Sequence, residues 1–315
     1  MSRRSGIAVG VLLLWLVALG LLARRELFRD ESERLAEAAL LVAPGTEYYQ
    51  VTSGGRHIGF ASSTIDTIDA GIRIVDYLVA DLHSDSATHR AAVRITSLLS
   101  RALRMRGFRL QMGGDVGPLD VRGTMEGDSL LAIVSALGDA RPDTQVVRLT
   151  APLILPTVVP IAIALGGSPE VGKRYDYTML DPASLAPAPV TVRVTAETLF
   201  VVSDSARFDD RRQRWVSAHD DTVRAWRIDQ GGTGFVGGWV DEKGRMVLTS
   251  QLGTLSLRRT SYEMAYLNWP LETAARGDSR GGDPDIQETT AIAASAPIAN
   301  RHSVPRLRVR LRNVD

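Results

Sequence analysis

Gly238-Trp239-Val240-Asp241-Glu242-Lys243-Gly244-Arg245-Met246-Val247-Leu248 is the stretch on which the fold turns. Two apolar runs, Trp239-Val240 and Met246-Val247-Leu248, flank four polar residues that end in a glycine. A glycine at that position accepts the positive φ that a tight reversal demands, so the segment reads as strand, turn, strand.

Working outward, the same period of two recurs from residue 46 to about 260. Val190, Val192 and Val194 alternate with Thr191, Arg193 and Thr195, and Trp226 and Ile228 alternate with Arg227 and Asp229. Val93 and Ile95 alternate with Arg94 and Thr96, and Leu255 and Leu257 continue the pattern before Arg258-Arg259. Tyr48 to Val51 and His57 to Phe60, joined by Ser53-Gly54-Gly55-Arg56, read as another hairpin. Leu103, Met105, Phe108 and Leu110 share a stretch with Arg101, Arg104, Arg106 and Arg109, where Gly107 marks a candidate bulge. Short strands with polar outer faces predict a mainly β protein: a large curled antiparallel sheet or half-barrel. Helix-period segments between strands are too few for a doubly wound α/β fold.

Residues 151–165 (APLILPTVVPIAIAL) break the alternation and hold Pro152, Pro156 and Pro160. The run is too short, and too rich in proline, for a membrane span. It reads as a short kinked helix plugging the concave face, or as a flap that touches a membrane or gates a ligand.

At the N-terminus, Arg3 and Arg4 precede an uncharged run from Ile7 to Ala23. Its length of roughly 25 Å is at the short end of what crosses a bilayer. A cleaved signal peptide and a buried core helix are the alternatives; Leu21 and Ala23 meet the cleavage pattern only halfway, and Arg24-Arg25 follow at once. The reading adopted is an uncleaved single-pass inner-membrane anchor with the bulk of the chain periplasmic, since long C-terminal domains translocate largely regardless of charge. Residues 1–6 are then a cytoplasmic tail, 7–23 the anchor, 24–45 a helical stalk, 46–273 the β domain, 274–303 a Gly/Ala/Ser/Asp-rich linker and 304–315 a terminal strand.

The chain has 315 residues, a net charge of +1 and no cysteine. The charge gives no field to collect nucleic acid, and the absence of cysteine excludes disulfides, zinc–thiolate sites and cysteine nucleophiles. Gly167 to Arg174 nearly spells a phosphate loop, but Arg174 stands where a hydroxyl is required, and strand rather than helix follows. His219-Asp220-Asp221 with Asp209-Asp210 could be imagined as metal ligands, yet adjacent residues in a strand point to opposite faces; a solvated loop is the plainer reading. No strained G-x-S-x-G elbow accompanies His57, His83 or His89, and His302 falls in the linker. No catalytic residue, cofactor or metal site is assigned. Arg101, Arg104, Arg106 and Arg109 form one candidate basic face, read as a solvated edge or as attraction to anionic headgroups. Arg306, Leu307, Arg308, Val309, Arg310 and Leu311 form a candidate partner-binding strand.

Scattered motifs carry a resemblance. Gly172-Lys173-Arg174-Tyr175-Asp176-Tyr177, Leu180-Asp181-Pro182, Val202-Ser203-Asp204-Ser205-Ala206, Ala225-Trp226, Gly238 to Gly244, Arg258 to Ala265 and Val304-Pro305-Arg306-Leu307 resemble the region upstream of the catalytic core in some bacterial membrane-anchored transglutaminase-like proteins. The likeness covers roughly residues 45–315. It implies a sheet of the lipoprotein-carrier or half-barrel type on the outer face of the inner membrane. It implies no activity, because the family's core uses a Cys-His-Asp triad and this chain has no cysteine. The expected function is a membrane-tethered, non-catalytic module that binds a transglutaminase-like protein or an envelope polymer, with the 305–312 strand augmenting the partner's sheet. A carrier or sensor of lipid or another apolar ligand is the alternative, and an enzyme comes third.

Overall fold

A computed structural model describes residue 42 and residues 44–270, apart from 70, 84–87, 116, 168, 182–184, 231–236 and 252–254. The anchor, most of the stalk, the linker and the terminal strand lie outside the described residues. No described helix is long and apolar enough to cross a membrane.

The body is one antiparallel sheet. Its first strands are β1 (Gly45–Ser53), β2 (Arg56–Ile68), β3 (Gly71–His83), β4 (Thr88–Leu99), β5 (Met105–Gly114), β6 (Leu119–Glu126), β7 (Leu130–Leu137) and β8 (Asp143–Arg148). After β9 (Leu153–Ile154), a 3-10 turn (Pro156–Val158) and helix α1 (Val159–Leu165) come β10 (Arg174–Leu180), β11 (Pro187–Asp209) and β12 (Arg214–Gln230). Then β13 (Gly238–Asp241), β14 (Met246–Gln251) and β15 (Leu255–Thr260) lead to a π-helical turn at Glu263–Leu267.

The order is β8-β7-β6-β5-β4-β3-β2-β1-β15-β14-β13-β12-β11-β10-β9. All neighbours run antiparallel except β9 and β10. The chain therefore walks outward from β1 to one edge at β8, reappears at the opposite edge as β9, and walks back to pair β15 with β1. Laid flat, fifteen strands would set the edges roughly 65 Å apart. Only residues 149–152 join β8 to β9, a reach of at most about 18 Å. The sheet must therefore curl until its edges approach, leaving a seam between β8 and β9 that no ladder closes. Its edges are the thing held together.

Packing agrees with that topology. Leu131 and Ile133 from β7 share one buried cluster with Leu153 and Ile154 from β9, Met179 from β10, Val192 and Val194 from β11, and Ile72 and Ile74 from β3. The inward alternation read from residues 190–194 and 226–228 is the inner wall of this curl. The hairpin of residues 238–248 is present as β13 and β14, and the one of 48–60 as β1 and β2 joined at Gly54-Gly55.

Residues 151–165 do fill the interior, with Val158, Val159, Ile161 and Ile163 at 3% exposure or less. They are not one kinked helix. Pro156 is the first residue of the 3-10 turn and Pro160 the second of α1, within the first turn where the missing N–H is not needed, so these prolines start helical turns instead of breaking one. Leu153-Ile154, upstream, completes the sheet edge. Against α1 lies the β13–β14 turn: Gly244 has φ +71°, and a Cβ there would sit 2.6 Å from Ile161 Cα.

Of the four arginines expected on a basic face, Arg101 lies in the turn after β4, Arg104 precedes β5, and Arg106 and Arg109 lie on β5. Pairing steps from Leu98–Gly107 to Leu99–Met105, so Arg106 is the extra residue of a bulge beside Gly107. This stretch is not an edge, since β4 and β6 flank β5.

Candidate functional site

The longest strands build a feature that their sequence did not announce. β10 covers β11 only from Pro187 to Arg193, and β13 covers β12 only from Ala225 to Ile228. Beyond those points β11 and β12 pair with each other alone, out to Asp209 and Arg214. This two-stranded arm is tied down at both ends. Near its base, Val202 and Ala225 bury against Val247, with Phe200 edge-on to Trp239 at 5.1 Å. Near its tip, Asn268 acts as an extra strand residue, its Oδ1 accepting the Trp215 N–H at 2.8 Å and its Nδ2 donating to the Trp215 carbonyl at 2.9 Å.

Between those ties the arm spans a cavity of about 600 Å³, bounded below by the ends of β1 and β15, the β13–β14 turn and the start of the π-helical segment. A second cavity of about 510 Å³ shares Arg224 and Glu242 with it. The floor is a buried ion-pair array. Arg259 donates from Nη1 to Asp241 Oδ2 at 2.8 Å and brings Nε within 3.9 Å of Glu47. Arg245 donates to Glu47 Oε1 at 2.9 Å. Asp241 Oδ1 also accepts the backbone N–H groups of Lys243 and Arg245, so the turn and the ion pair fix one another. Charges held this way resist desolvation because each has both a counter-ion and hydrogen bonds.

One wall is aromatic. Tyr48 meets Tyr262 edge-on at 5.2 Å, and Phe60 meets Tyr266 at 5.4 Å. Burial, then the carboxylates of Glu263 and Glu47, raise the Tyr48 phenol above its ordinary range. Ser261, 4% exposed, is among the residues around the cavity, and its Oγ is buried without a hydrogen-bond partner.

Asp76, on β3, lies beside the 3-10 turn. Ser63 Oγ donates to its Oδ1 at 2.6 Å, while its Oδ2 and the nearby Thr157 Oγ1 are buried without a hydrogen bond. Desolvation dominates, and the carboxyl is pushed up to about 6.

The residues singled out in the sequence lie elsewhere. Arg109 is held by Asp120, and Arg104 comes within 3.8 Å of Asp128. Arg306, Leu307, Arg308, Val309, Arg310 and Leu311 fall outside the described residues, as does the side chain of His83. The near-phosphate loop runs into β10, so no helix opens behind it. Asp220 and Asp221 sit on the arm and Asp209 turns its carboxylate onto the N–H groups of Arg211 and Arg212 at the tip. Among the described residues no three His, Asp or Glu side chains converge as metal ligands. The cavity residues gave a partial signal only: Arg258-Arg259 was visible as polar residues ending a strand, but their partners Glu47 and Asp241 are far away in sequence.

No protein-family model matches the chain. No curated protein matches it either. Solved structures do resemble it. A β-barrel-like protein of the domain of unknown function DUF1849 from Brucella abortus has 16% identity and a TM-score of 0.43, covering 70% of this chain and 95% of its own. A DUF1089 family protein from Pseudomonas aeruginosa has 12% identity and a TM-score of 0.33, covering 62% and 90%. None of these comparisons links the chain to the transglutaminase-like resemblance.

Proposed function

We propose that this chain is a non-catalytic β module, tethered by residues 7–23 to the inner membrane with its sheet on the periplasmic side, that holds a partner or ligand in the cleft beneath the β11–β12 arm. One observation carries the reading: the space inside the curl is filled by α1, whereas the space under the arm is open at about 600 Å³. An apolar-ligand carrier needs the reverse arrangement, an empty apolar interior. Support for binding over turnover comes from the charges at the floor, which are spent on each other. A transglutaminase-like partner docking on residues 305–312 remains a proposal from the sequence.

Because the chain has no cysteine, one can be introduced as the sole labelling site. A polarity-sensitive dye at Thr222→Cys, in the cleft, should respond to soluble peptidoglycan fragments, and the same dye at Val146→Cys on β8 should not. Equal responses at both sites would contradict the cleft, and so would phospholipid co-purifying at one molecule per chain. Protease added to spheroplasts should remove the sheet domain; full protection would refute the placement outside the cytoplasm.

A further inference from the structure

We propose that the tip of the β11–β12 arm docks on the anionic headgroups of the bilayer to which the chain is tethered. The proposal rests on the anchor reading above and goes beyond it, since a tether alone does not bring the sheet into contact with lipid.

The ladder sets the direction. Arg227 on β12 pairs with Trp239, Trp239 with Leu248, Leu248 with Arg258 and Arg258 with Gln50, so Arg227 and Gln50 share one row of the sheet. Four antiparallel steps separate β12 from β1, so these two strands run the same way. Both therefore start at the same end, where the chain enters the sheet from the anchor. From the shared row β1 reaches back five residues to Gly45, whereas β12 reaches back thirteen to Arg214. The arm thus passes the start of β1 by eight residues, up to roughly 26 Å. The 21 residues between Ala23 and Gly45, read as a helical stalk, have a similar length of about 30 Å.

Chemistry at the tip suits a lipid surface. Arg207, Arg211, Arg212 and Arg214 are all exposed there, against Asp209 and Asp210. Asp209 is occupied by the backbone N–H groups of Arg211 and Arg212 and lies 3.8 Å from the Arg212 guanidinium. Arg207, Arg211 and Arg214 make no ion pair among the described residues. Attraction of arginine to an anionic bilayer falls off within a Debye length, so only a projecting tip gains it. Charge is not the only sign. Phe208 opposes Trp215 across the arm, edge-on at 5.5 Å, and remains 38% exposed. Alternation turns this aromatic pair to one face and Arg207 and Arg214 to the other. Exposed aromatic and basic side chains together are the combination that settles into a headgroup layer. The arm is also held in place. A two-stranded ribbon alone is marginally stable in water, and Asn268 fixes this one by bonding both backbone groups of Trp215.

The test uses the full chain in nanodiscs, with a dye at Gln213→Cys in the tip turn as the sole thiol and spin-labelled headgroups as quenchers. Discs containing phosphatidylglycerol should quench the tip dye roughly twofold or more, and discs of phosphatidylcholine alone, or about 0.5 M salt, should abolish the effect. The same dye at Arg56→Cys, beside the β1–β2 turn at the opposite end, should stay bright in every disc. Arg211→Glu with Arg212→Glu reverses two exposed turn residues and should remove about half of the tip quenching or more. Equal quenching with and without anionic lipid, no quenching, or a charge-reversed tip that behaves as the native one overturns the proposal. Soluble polyglutamate binding a tip that the bilayer leaves bright would assign the arginines to an acidic polymer and overturn it as well. Failure of the chain to enter discs would sink the anchor reading instead. Flotation with phosphatidylglycerol vesicles then tests the tip, and a chain that does not float overturns both.

Discussion

Two buried carboxyl groups behave in opposite ways because of what faces them. Asp76 has one hydroxyl donor and no cation, so its folded state prefers the proton. With a folded pKa of about 6 against the ordinary 3.8, its favourable contribution is complete below pH ~4 and is lost as pH rises through 6. Two units correspond to roughly 3 kcal/mol at most. Urea unfolding should thus show the native chain losing stability between pH 4 and 6.5 relative to Asp76→Asn, which keeps an acceptor for Ser63 without the charge. Parallel curves for the two proteins would contradict the assignment. Asp241, in contrast, is met by Arg259 and two backbone N–H groups. Arg259→Met strands that carboxylate and should cost about 3–5 kcal/mol. Adding Asp241→Asn should recover part of the loss, and additivity in that double-mutant cycle would deny the coupling. Neither carboxyl was legible in the sequence. Asp76 lies in an unremarkable alternation on β3, and only the approach of the 3-10 turn that bears Thr157 makes its site dry.

Elements divide by how local their causes are. β13 and β14 were readable because a glycine-ended turn and two apolar runs suffice to specify a hairpin. The role of Gly244 was half readable: positive φ follows from the turn, whereas its closeness to Ile161 follows from the folded chain. Comparing glycines separates the two effects. Gly54→Ala, with φ +55° and nothing within 4 Å, should cost about 1 kcal/mol, and Gly244→Ala should cost about 3 kcal/mol or more, measured by thermal unfolding. Similar losses at both positions would mean that α1 does not press on this turn. The arm was not readable, since residues 218–222 carry His219, Asp220 and Asp221 in a stretch exposed on both faces, and a strand without a buried face has no period of two to detect.

At the level of the whole molecule, the curl follows from one short connection between two distant edges, a fact of topology that composition does not record. The proline-rich segment that follows this connection enters the curl and becomes its filling, so the protein has an inside that is used up and an outside that is free to bind. Hydrogen exchange of the amides in residues 156–165 tests that division most directly. Packed as the core, they should exchange as slowly as the centres of β3 and β4, through global unfolding alone. Exchange of α1 within minutes, at the pace of the surface turns, would show a lid over an accessible interior and contradict the account.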